Sequence, residues 1–135
     1  GVGIERERLE NLAISLGIEN DVDMPGFKSN PYAFIKRSDV FALTSSYEGL
    51  PTVLIEALAL NVPVISTNCK SGPSEILSDG RWGALVEPDD AQSMSSLLLS
   101  IIQSDDQALP EEAWKPYDYN RSVINYIDIM MGSGK

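Results

Sequence analysis

Residues 39–67 have the sequence DVFALTSSYEGLPTVLIEALALNVPVIST. Two apolar segments, Val40–Leu43 and Pro63–Thr67, enclose a helix predicted over Pro51–Leu60, which begins at a proline as helices often do. Both segments are typical of strands that helices cover on both faces. A strand, a helix and a second strand in this order predict a parallel βαβ unit with a right-handed crossover.

The rest of the chain continues this alternation. A helix is predicted over Ile4–Leu16, with Gly17 as its C-terminal cap. Its apolar stripe is expected to face the core and consists of Leu9, Leu12, Ala13 and Leu16. The other predicted elements are strands at Val22–Met24 and Gly83–Val86 and helices at Pro31–Arg37, Pro73–Leu77, Asp89–Gln103 and Asp118–Met131. The fold class is therefore α/β, a doubly wound, Rossmann-like parallel sheet.

The composition is that of a globular domain, with 135 residues, 43% of them apolar and 22% charged. The longest apolar run, Val53–Leu60, is interrupted by Glu56 and is too short to span a membrane. No basic segment followed by an apolar one opens the chain, so no signal peptide is expected.

Charge and the scarcity of reactive side chains argue against several function classes. The formal net charge is −10, and such a surface repels phosphate backbones, so no nucleic-acid partner is predicted. Cys69 is the one cysteine, and histidine is absent. The chain therefore has no internal disulfide, none of the common zinc spacings and no Ser–His or Cys–His pair. No metal and no cofactor are predicted.

The turn Ser46–Pro51 links the first of these strands to the helix. Ligands of open parallel sheets bind beyond the carboxyl ends of the strands, next to helix N-termini. Gly49 lets the backbone approach a ligand closely, and Pro51 leaves the neighbouring amides to point outward. Those amides and the positive end of the helix dipole suit a phosphate group. The alternative is an ordinary strand-to-helix turn.

Two acidic residues accompany this turn. Glu56 lies in a helix that is apolar nearly all round and is predicted to be buried, where a carboxylate needs a partner. The hydroxyls of a sugar diol would satisfy it; the alternatives are a salt bridge or a helix edge that faces water. Glu48 could accept hydrogen bonds from a second polyol or stabilise positive charge on a reacting carbon. Taken alone, it is a surface carboxylate.

The segment EGLPTVLIEA, residues 48–57, strongly resembles the signature of the retaining nucleotide-sugar glycosyltransferases of family four, in which seven residues separate two glutamates. Other segments resemble that family in the same order along residues 1–104, which makes the resemblance more specific than a lone motif. They are Gly1–Gly3, Glu5–Leu9, Asp23–Phe27, Asp39–Glu48, Asn61–Thr67, Ser71–Leu77 and Arg81–Asp89.

The resemblance implies the C-terminal domain of a two-domain GT-B enzyme that moves a sugar from a nucleoside diphosphate to an acceptor hydroxyl with retention of configuration. Glu48, the predicted catalytic residue, would contact the donor sugar, and Glu56 would bind the ribose hydroxyls. The other implied contacts are the backbone of Gly49, Leu50, Pro51 and Thr52 near the diphosphate and the turn Gly26, Phe27 and Lys28 beside the base. The donor would be a UDP-, GDP- or ADP-sugar, in glycan, polysaccharide or glycolipid biosynthesis.

The sequence also departs from the family pattern. The donor domain of the family begins with a strand, a Gly-Arg turn, a helix and a lysine that pairs with the diphosphate. None of these precedes Gly1, and neither does the acceptor domain of the family. We therefore expect a fragment that is inactive alone: a partial donor domain at residues 1–117, then a helix and flexible tail at 118–135. An unpaired strand edge is expected. The expected location is cytoplasmic, with contact at the inner membrane face left open.

The alternative function is a non-catalytic α/β module that binds nucleotides or partners. A phosphoryl receiver needs an aspartate at the end of its first strand, whereas Asp39 begins a strand. A dinucleotide-binding turn would place glycine where Arg6 stands. Cys69, Trp82 and Trp114 are interpreted as packing residues.

Overall fold

A computed structural model describes residues 3–104, 109–118 and 120–121. The chain divides into two compact units, Gly1–Pro31 and Tyr32–Lys135, which we call the N-terminal unit and the sheet unit. Helix α1 of the N-terminal unit spans Arg6–Leu16. Gly17 ends it in a left-handed conformation (φ 69°), and its amide donates to the carbonyl of Ile14 at 3.0 Å. The predicted helix and its glycine cap are confirmed.

Two predictions for the N-terminal unit are wrong. Only Ala13 of the α1 stripe is buried, whereas Leu9, Leu12 and Leu16 are 40%, 46% and 62% exposed. The described part of this unit holds a single helix, so the stripe has no second element within the unit to pack on. Residues 22–24 form no strand, because an extended segment becomes a strand only when a neighbour completes its hydrogen-bond ladder.

The described residues of the sheet unit form three parallel strands: β1 at Phe41–Leu43, β2 at Val64–Thr67 and β3 at Ala84–Val86. They lie in the order β1-β2-β3. Phe41 pairs with Val64, and Ile65 pairs with Ala84. The predicted parallel βαβ arrangement is thereby confirmed.

Helices cover both faces of this sheet, as the doubly wound prediction required. Helices α2 (Tyr32–Ile35), α3 (Thr52–Ala59), α4 (Pro73–Ile76) and α5 (Ala91–Gln103) follow in chain order. Val64 packs with Leu54 and Leu58 of α3 on one face. The next residue, Ile65, packs with Met94 of α5 on the opposite face. This alternation follows from the two-residue period of a strand.

The strands differ in burial. All four residues of β2 are buried, as predicted for a strand covered on both faces. In β1, by contrast, Phe41 and Leu43 are half-buried and Ala42 is exposed, so the prediction of a doubly covered strand is wrong there. Within the described residues β1 is an edge strand, which has β2 on one side only.

Two short 3-10 turns, Glu111–Ala113 and Lys115–Tyr117, follow α5. Ala113 is buried, and Trp82 and Trp114 pack against the same core, which confirms their interpretation as packing residues. Residues 120–121 are helical; the rest of the helix predicted over Asp118–Met131, and the predicted tail, lie outside the described residues. No helix among the described residues is long and apolar enough to cross a membrane.

Candidate functional site

The candidate site lies at the carboxyl ends of β1 and β2, where two loops meet. Residues 44–51 follow β1, and residues 68–72 follow β2. In a parallel sheet these ends share one edge, which is where ligands of this fold class bind.

Glu48 is held at two points. Its Oε1 atom accepts a hydrogen bond from the Ser45 hydroxyl at 2.6 Å, a short distance typical of a charged acceptor. Its backbone carbonyl accepts from the Ser71 hydroxyl at 3.0 Å. The side chain is half-buried. One carboxylate oxygen is therefore fixed from within the turn, and the main chain of Glu48 is fixed from the neighbouring loop.

A third hydroxyl connects the two strand ends. Thr67, the last residue of β2, is 6% exposed. Its Oγ1 donates to the carbonyl oxygen of Ser45 at 2.5 Å. Since Ser45 in turn donates to Glu48, the position of the carboxylate depends on the end of the buried central strand.

The two loops also touch through backbone. Gly72 has a φ of +91°, and a Cβ added there would lie 2.5 Å from the Gly49 carbonyl oxygen and 2.6 Å from Cδ of Pro51. Glycine is therefore required at position 72 both by conformation and by space. In contrast, a Cβ added to Gly49 would meet no heavy atom within 4 Å, so this side of the turn is open to a ligand.

The start of α3 offers fewer backbone donors than the sequence suggests. Pro51 is buried and has no N–H, and the amide of Thr52 donates to the Leu50 carbonyl at 2.9 Å. Among the residues that the structure describes, the amides of Gly49 and Leu50 have no acceptor. Those two amides are among the backbone donors that a diphosphate could use at this end of the helix.

Glu56 lies one turn of helix beyond Thr52. The buried residues of α3 are Leu54, Ala57 and Leu58, while Glu56 is half-buried and Thr52 is exposed. The expectation that α3 is buried all round is thus wrong, because one side of the helix is open. Within residues 3–104, 109–118 and 120–121, the carboxylate has no hydrogen bond or ion pair, so the salt-bridge alternative finds no partner there.

The third predicted segment, Gly26–Lys28, belongs to the N-terminal unit. Gly26 has a left-handed φ of 72°, and Phe27 is 86% exposed. The segment has no regular secondary structure, and the ring of Phe27 faces solvent. Its contact with a nucleobase stays a prediction.

A cavity of about 510 Å³ opens beyond all three strand ends. Its wall includes Thr44, Thr67, Glu87, Asp90 and Met94. Asp90 also caps α5, accepting from the Ser93 amide at 2.9 Å. Hydrogen bonds from the Ser93 hydroxyl and amide lower the pKa of Asp90 below 3.8. Among the described residues, no three His, Cys, Asp or Glu side chains are grouped to hold a metal ion.

The family model described as "Glycosyl transferases group 1" matches residues 1–121. The chain belongs to this family. An uncharacterized glycosyltransferase of Methanocaldococcus jannaschii is 34% identical and aligns with 78% of this group 1 chain and 33% of its own length. The lipopolysaccharide core biosynthesis glycosyltransferase LpsE of Rhizobium meliloti is also 34% identical, over 76% of this chain and 30% of its own. The chain thus spans about a third of these curated relatives.

Solved structures agree on the fold of this group 1 domain. HepE of Anabaena, solved in complex with UDP, superimposes with a TM-score of 0.79 at 23% identity, over 95% of this chain and 36% of HepE. This likeness identifies the fold as that of a GT-B glycosyltransferase.

Sequence analysis did not single out three hydroxyl residues that surround Glu48 in this group 1 domain: Ser45, Thr67 and Ser71. A signal was present, since a hydroxyl side chain stands at or just after the end of each of the first two strands. The bond from Ser45 to Glu48 spans only three positions. The bonds donated by Thr67 and Ser71, however, join residues 22 and 23 positions apart, and such contacts depend on how the loops meet in space.

Proposed function

We propose that this chain is the donor-binding part, at the C-terminal end, of a retaining glycosyltransferase of family four. The enzyme transfers a sugar from a nucleoside diphosphate to an acceptor hydroxyl in the synthesis of a polysaccharide, glycan or glycolipid. The observation that carries the proposal is the half-buried carboxylate of Glu56, without a partner among the described residues and on the open side of α3.

The ribose of the donor would satisfy Glu56. A cis-diol has two hydroxyl donors and a carboxylate has two acceptor oxygens, so the numbers of donors and acceptors match, and each bond has a charged acceptor. Together these hydrogen bonds are expected to contribute about 1–3 kcal/mol, because they replace hydrogen bonds that water makes with the free carboxylate. Glu48 would then receive the sugar, because one of its oxygens accepts from Ser45 and the other is left for a donor hydroxyl.

The diphosphate would lie between these two contacts. The amides of Gly49 and Leu50 and the positive end of α3 would bind it there, and the open space beside Gly49 would admit it. Thr52 would contribute its exposed hydroxyl in place of its amide, and Pro51 would fix the start of the helix.

Retention of configuration would follow from attack on the same face of the sugar. The acceptor oxygen bonds to the anomeric carbon as the bond to the diphosphate breaks, and the departing phosphate oxygen takes the acceptor proton. Glu48 would orient the sugar and stabilise positive charge on the reacting carbon. No cofactor takes part in this proposal. Since the donors are nucleotide sugars, we propose a cytoplasmic site of action, with the inner membrane face as the place of contact with a lipid acceptor.

Calorimetric titration of the full-length protein with UDP-, GDP- and ADP-sugars tests the proposal. UDP is the first candidate, since HepE was solved with UDP. We expect one nucleotide class to bind and Glu56→Ala to weaken it by about 1–3 kcal/mol, or roughly five- to 150-fold in Kd. Glu7→Gln, on the exposed surface of α1, is the control and should bind as the wild type does. Equal affinity in Glu56→Ala would remove this residue from the site.

A further inference from the structure

The carboxylate of Glu48 is the end point of a chain of hydrogen bonds that begins in the core of the sheet. Thr67 is buried at the end of β2 and donates to the backbone of Ser45 at 2.5 Å. Ser45 donates to the carboxylate of Glu48 at 2.6 Å. Ser71 donates to the carbonyl of Glu48 at 3.0 Å. The segment Ser45–Glu48 is thereby hydrogen-bonded at both ends: at Ser45 to Thr67, the last residue of β2, and at Glu48 to Ser71, in the loop after β2.

We infer that Ser45 is a positioning residue for Glu48, and that Thr67 and Ser71 hold the turn in the shape that lets Ser45 reach it. The inference rests on the proposed function, because it concerns how well Glu48 meets the donor sugar. A glutamate in a turn normally samples several rotamers, and binding a ligand must then fix one of them. The Ser45 hydroxyl fixes one carboxylate oxygen in advance, so less ordering accompanies sugar binding.

A positioning role of Ser45 and a purely structural role predict different effects on stability and on ligand affinity. A hydrogen bond that merely stabilises the turn would change the folding stability, and donor binding would fall for nucleotide and sugar alike. A positioning bond acts on the sugar contact alone, because Glu56 and the amides of the turn bind the nucleotide independently of it. The sugar-dependent part of the affinity is therefore the informative quantity.

The experiment measures the Kd of the full-length protein for UDP and for UDP-galactose, with GDP and GDP-mannose or ADP and ADP-glucose as the pair if the wild type binds those instead. We define the sugar-dependent ratio as the Kd of the nucleotide divided by the Kd of the nucleotide sugar. A larger ratio means a larger favourable contribution of the sugar to binding. In Ser45→Ala we expect the Kd of the nucleotide to stay within about twofold and the sugar-dependent ratio to fall by about tenfold, the size of one lost charge-assisted bond.

Two further variants keep the test decisive. Ser45→Thr keeps a hydroxyl and should restore most of the sugar-dependent ratio. Thr67→Val has nearly the same shape as threonine but cannot donate to Ser45, so it should lower the ratio in the same direction by a smaller factor. If Ser45→Ala does not fold, as judged by its circular dichroism and thermal unfolding, Thr67→Val carries the test.

A double-mutant cycle tests whether the effect of Ser45 on sugar binding depends on Glu48. If Ser45 acts through Glu48, then Ser45→Ala combined with Glu48→Gln should bind the sugar no worse than Glu48→Gln alone. Additive losses, or a sugar-dependent ratio in Ser45→Ala equal to that of the wild type, would overturn the inference while leaving the proposed function intact. A wild type that binds none of the three nucleotides or their sugars would instead overturn the proposed function, and this inference with it.

Discussion

The backbone of Gly72 lies directly against the carbonyl oxygen of Gly49, so that an added Cβ would come within 2.5 Å of it. This contact joins the loop after β2 to the turn after β1. Gly72 also adopts a φ of +91°, which side chains of L-residues rarely take. The shape of the candidate donor site therefore depends on a residue that has no side chain and that lies outside the glutamate motif.

We expect Gly72→Ala to reduce both stability and donor binding. The methyl group would meet backbone and the ring of Pro51 at 2.6 Å, and these atoms yield less easily than the end of a flexible side chain. Overpacking of this kind costs about 1–3 kcal/mol, to which the strained φ adds about 1 kcal/mol or more. Thermal unfolding and calorimetric titration of the full-length protein measure the two effects.

Gly49→Ala is the matched variant for that experiment. Its Cβ would meet no protein atom within 4 Å, so thermal unfolding should stay close to that of the wild type. Donor affinity should nevertheless fall, because the methyl group would occupy space proposed for the diphosphate. If both variants unfold at the wild-type temperature, the close approach of the two loops is not present in the protein.

A second glycine, Gly83, is expected to be essential for the packing of β3 on β2. A Cβ at this position would lie 2.4 Å from Cγ2 of Val64 and 2.8 Å from its carbonyl oxygen. We expect Gly83→Ala to lower the free energy of unfolding by about 1–3 kcal/mol, as measured by urea denaturation. Val64→Ala in the same chain should recover part of the loss but not all of it, since the contact with the carbonyl remains.

The N-terminal cap of α5 gives a prediction for pH. Hydrogen bonds from the hydroxyl and then the amide of Ser93 lower the pKa of Asp90 from its ordinary value of 3.8. A carboxyl group whose pKa is lower in the folded state stabilises the fold above its unfolded-state pKa and loses that effect as the pH falls through the folded value. The wild type should therefore unfold at a higher temperature than Asp90→Asn at pH 7, by a few degrees at most.

That difference should begin to shrink near pH 4 and should vanish at lower pH, where Asp90 is protonated. Thermal unfolding of both proteins at pH values from 2 to 7 measures this difference in unfolding temperature. Asp21→Asn, at an exposed aspartate in the N-terminal unit, is the control. A gap between wild type and Asp90→Asn that stays constant down to pH 2 would mean that the cap does not depend on the charge of this carboxyl group.

The sequence best predicts those structural features that depend on residues close to one another along the chain. Helix α3 is anticipated because Pro51 marks its start, and β2 because a short apolar run follows a helix. The cap at Gly17 is anticipated because glycine alone takes its left-handed conformation without strain. In each of these cases the cause lies within a few positions of the residue concerned.

The predictions that were wrong concern features that depend on distant parts of the molecule. The spacing of Leu9, Leu12 and Leu16 identifies a stripe that a helix can bury, but it does not say whether a partner is present. Ala42 is exposed because β1 has one neighbour in the described sheet, and its own sequence carries no sign of that. The half-burial of Glu56 likewise depends on which elements cover α3.

The same distinction applies to the candidate site. The spacing of Glu48 and Glu56 is visible in the sequence, and so are the glycine and proline of the turn between them, from which phosphate binding is predicted. The bond from Thr67 to Ser45 is not visible, because it needs two loops whose approach is set by Gly72.

Three positions within the turn stand apart from this network. Ser46, Tyr47 and Leu50 are exposed, with Tyr47 at 76% and Leu50 at 54%. Ser46 and Tyr47 lie between the anchored residues Ser45 and Glu48, and Leu50 lies two positions after Glu48. Because the side chains of these three residues take no part in the anchoring bonds, varying them to residues other than proline should diversify the surface around the carboxylate without moving it. They are the natural choice for a combinatorial library aimed at changing the sugar specificity of the proposed donor site.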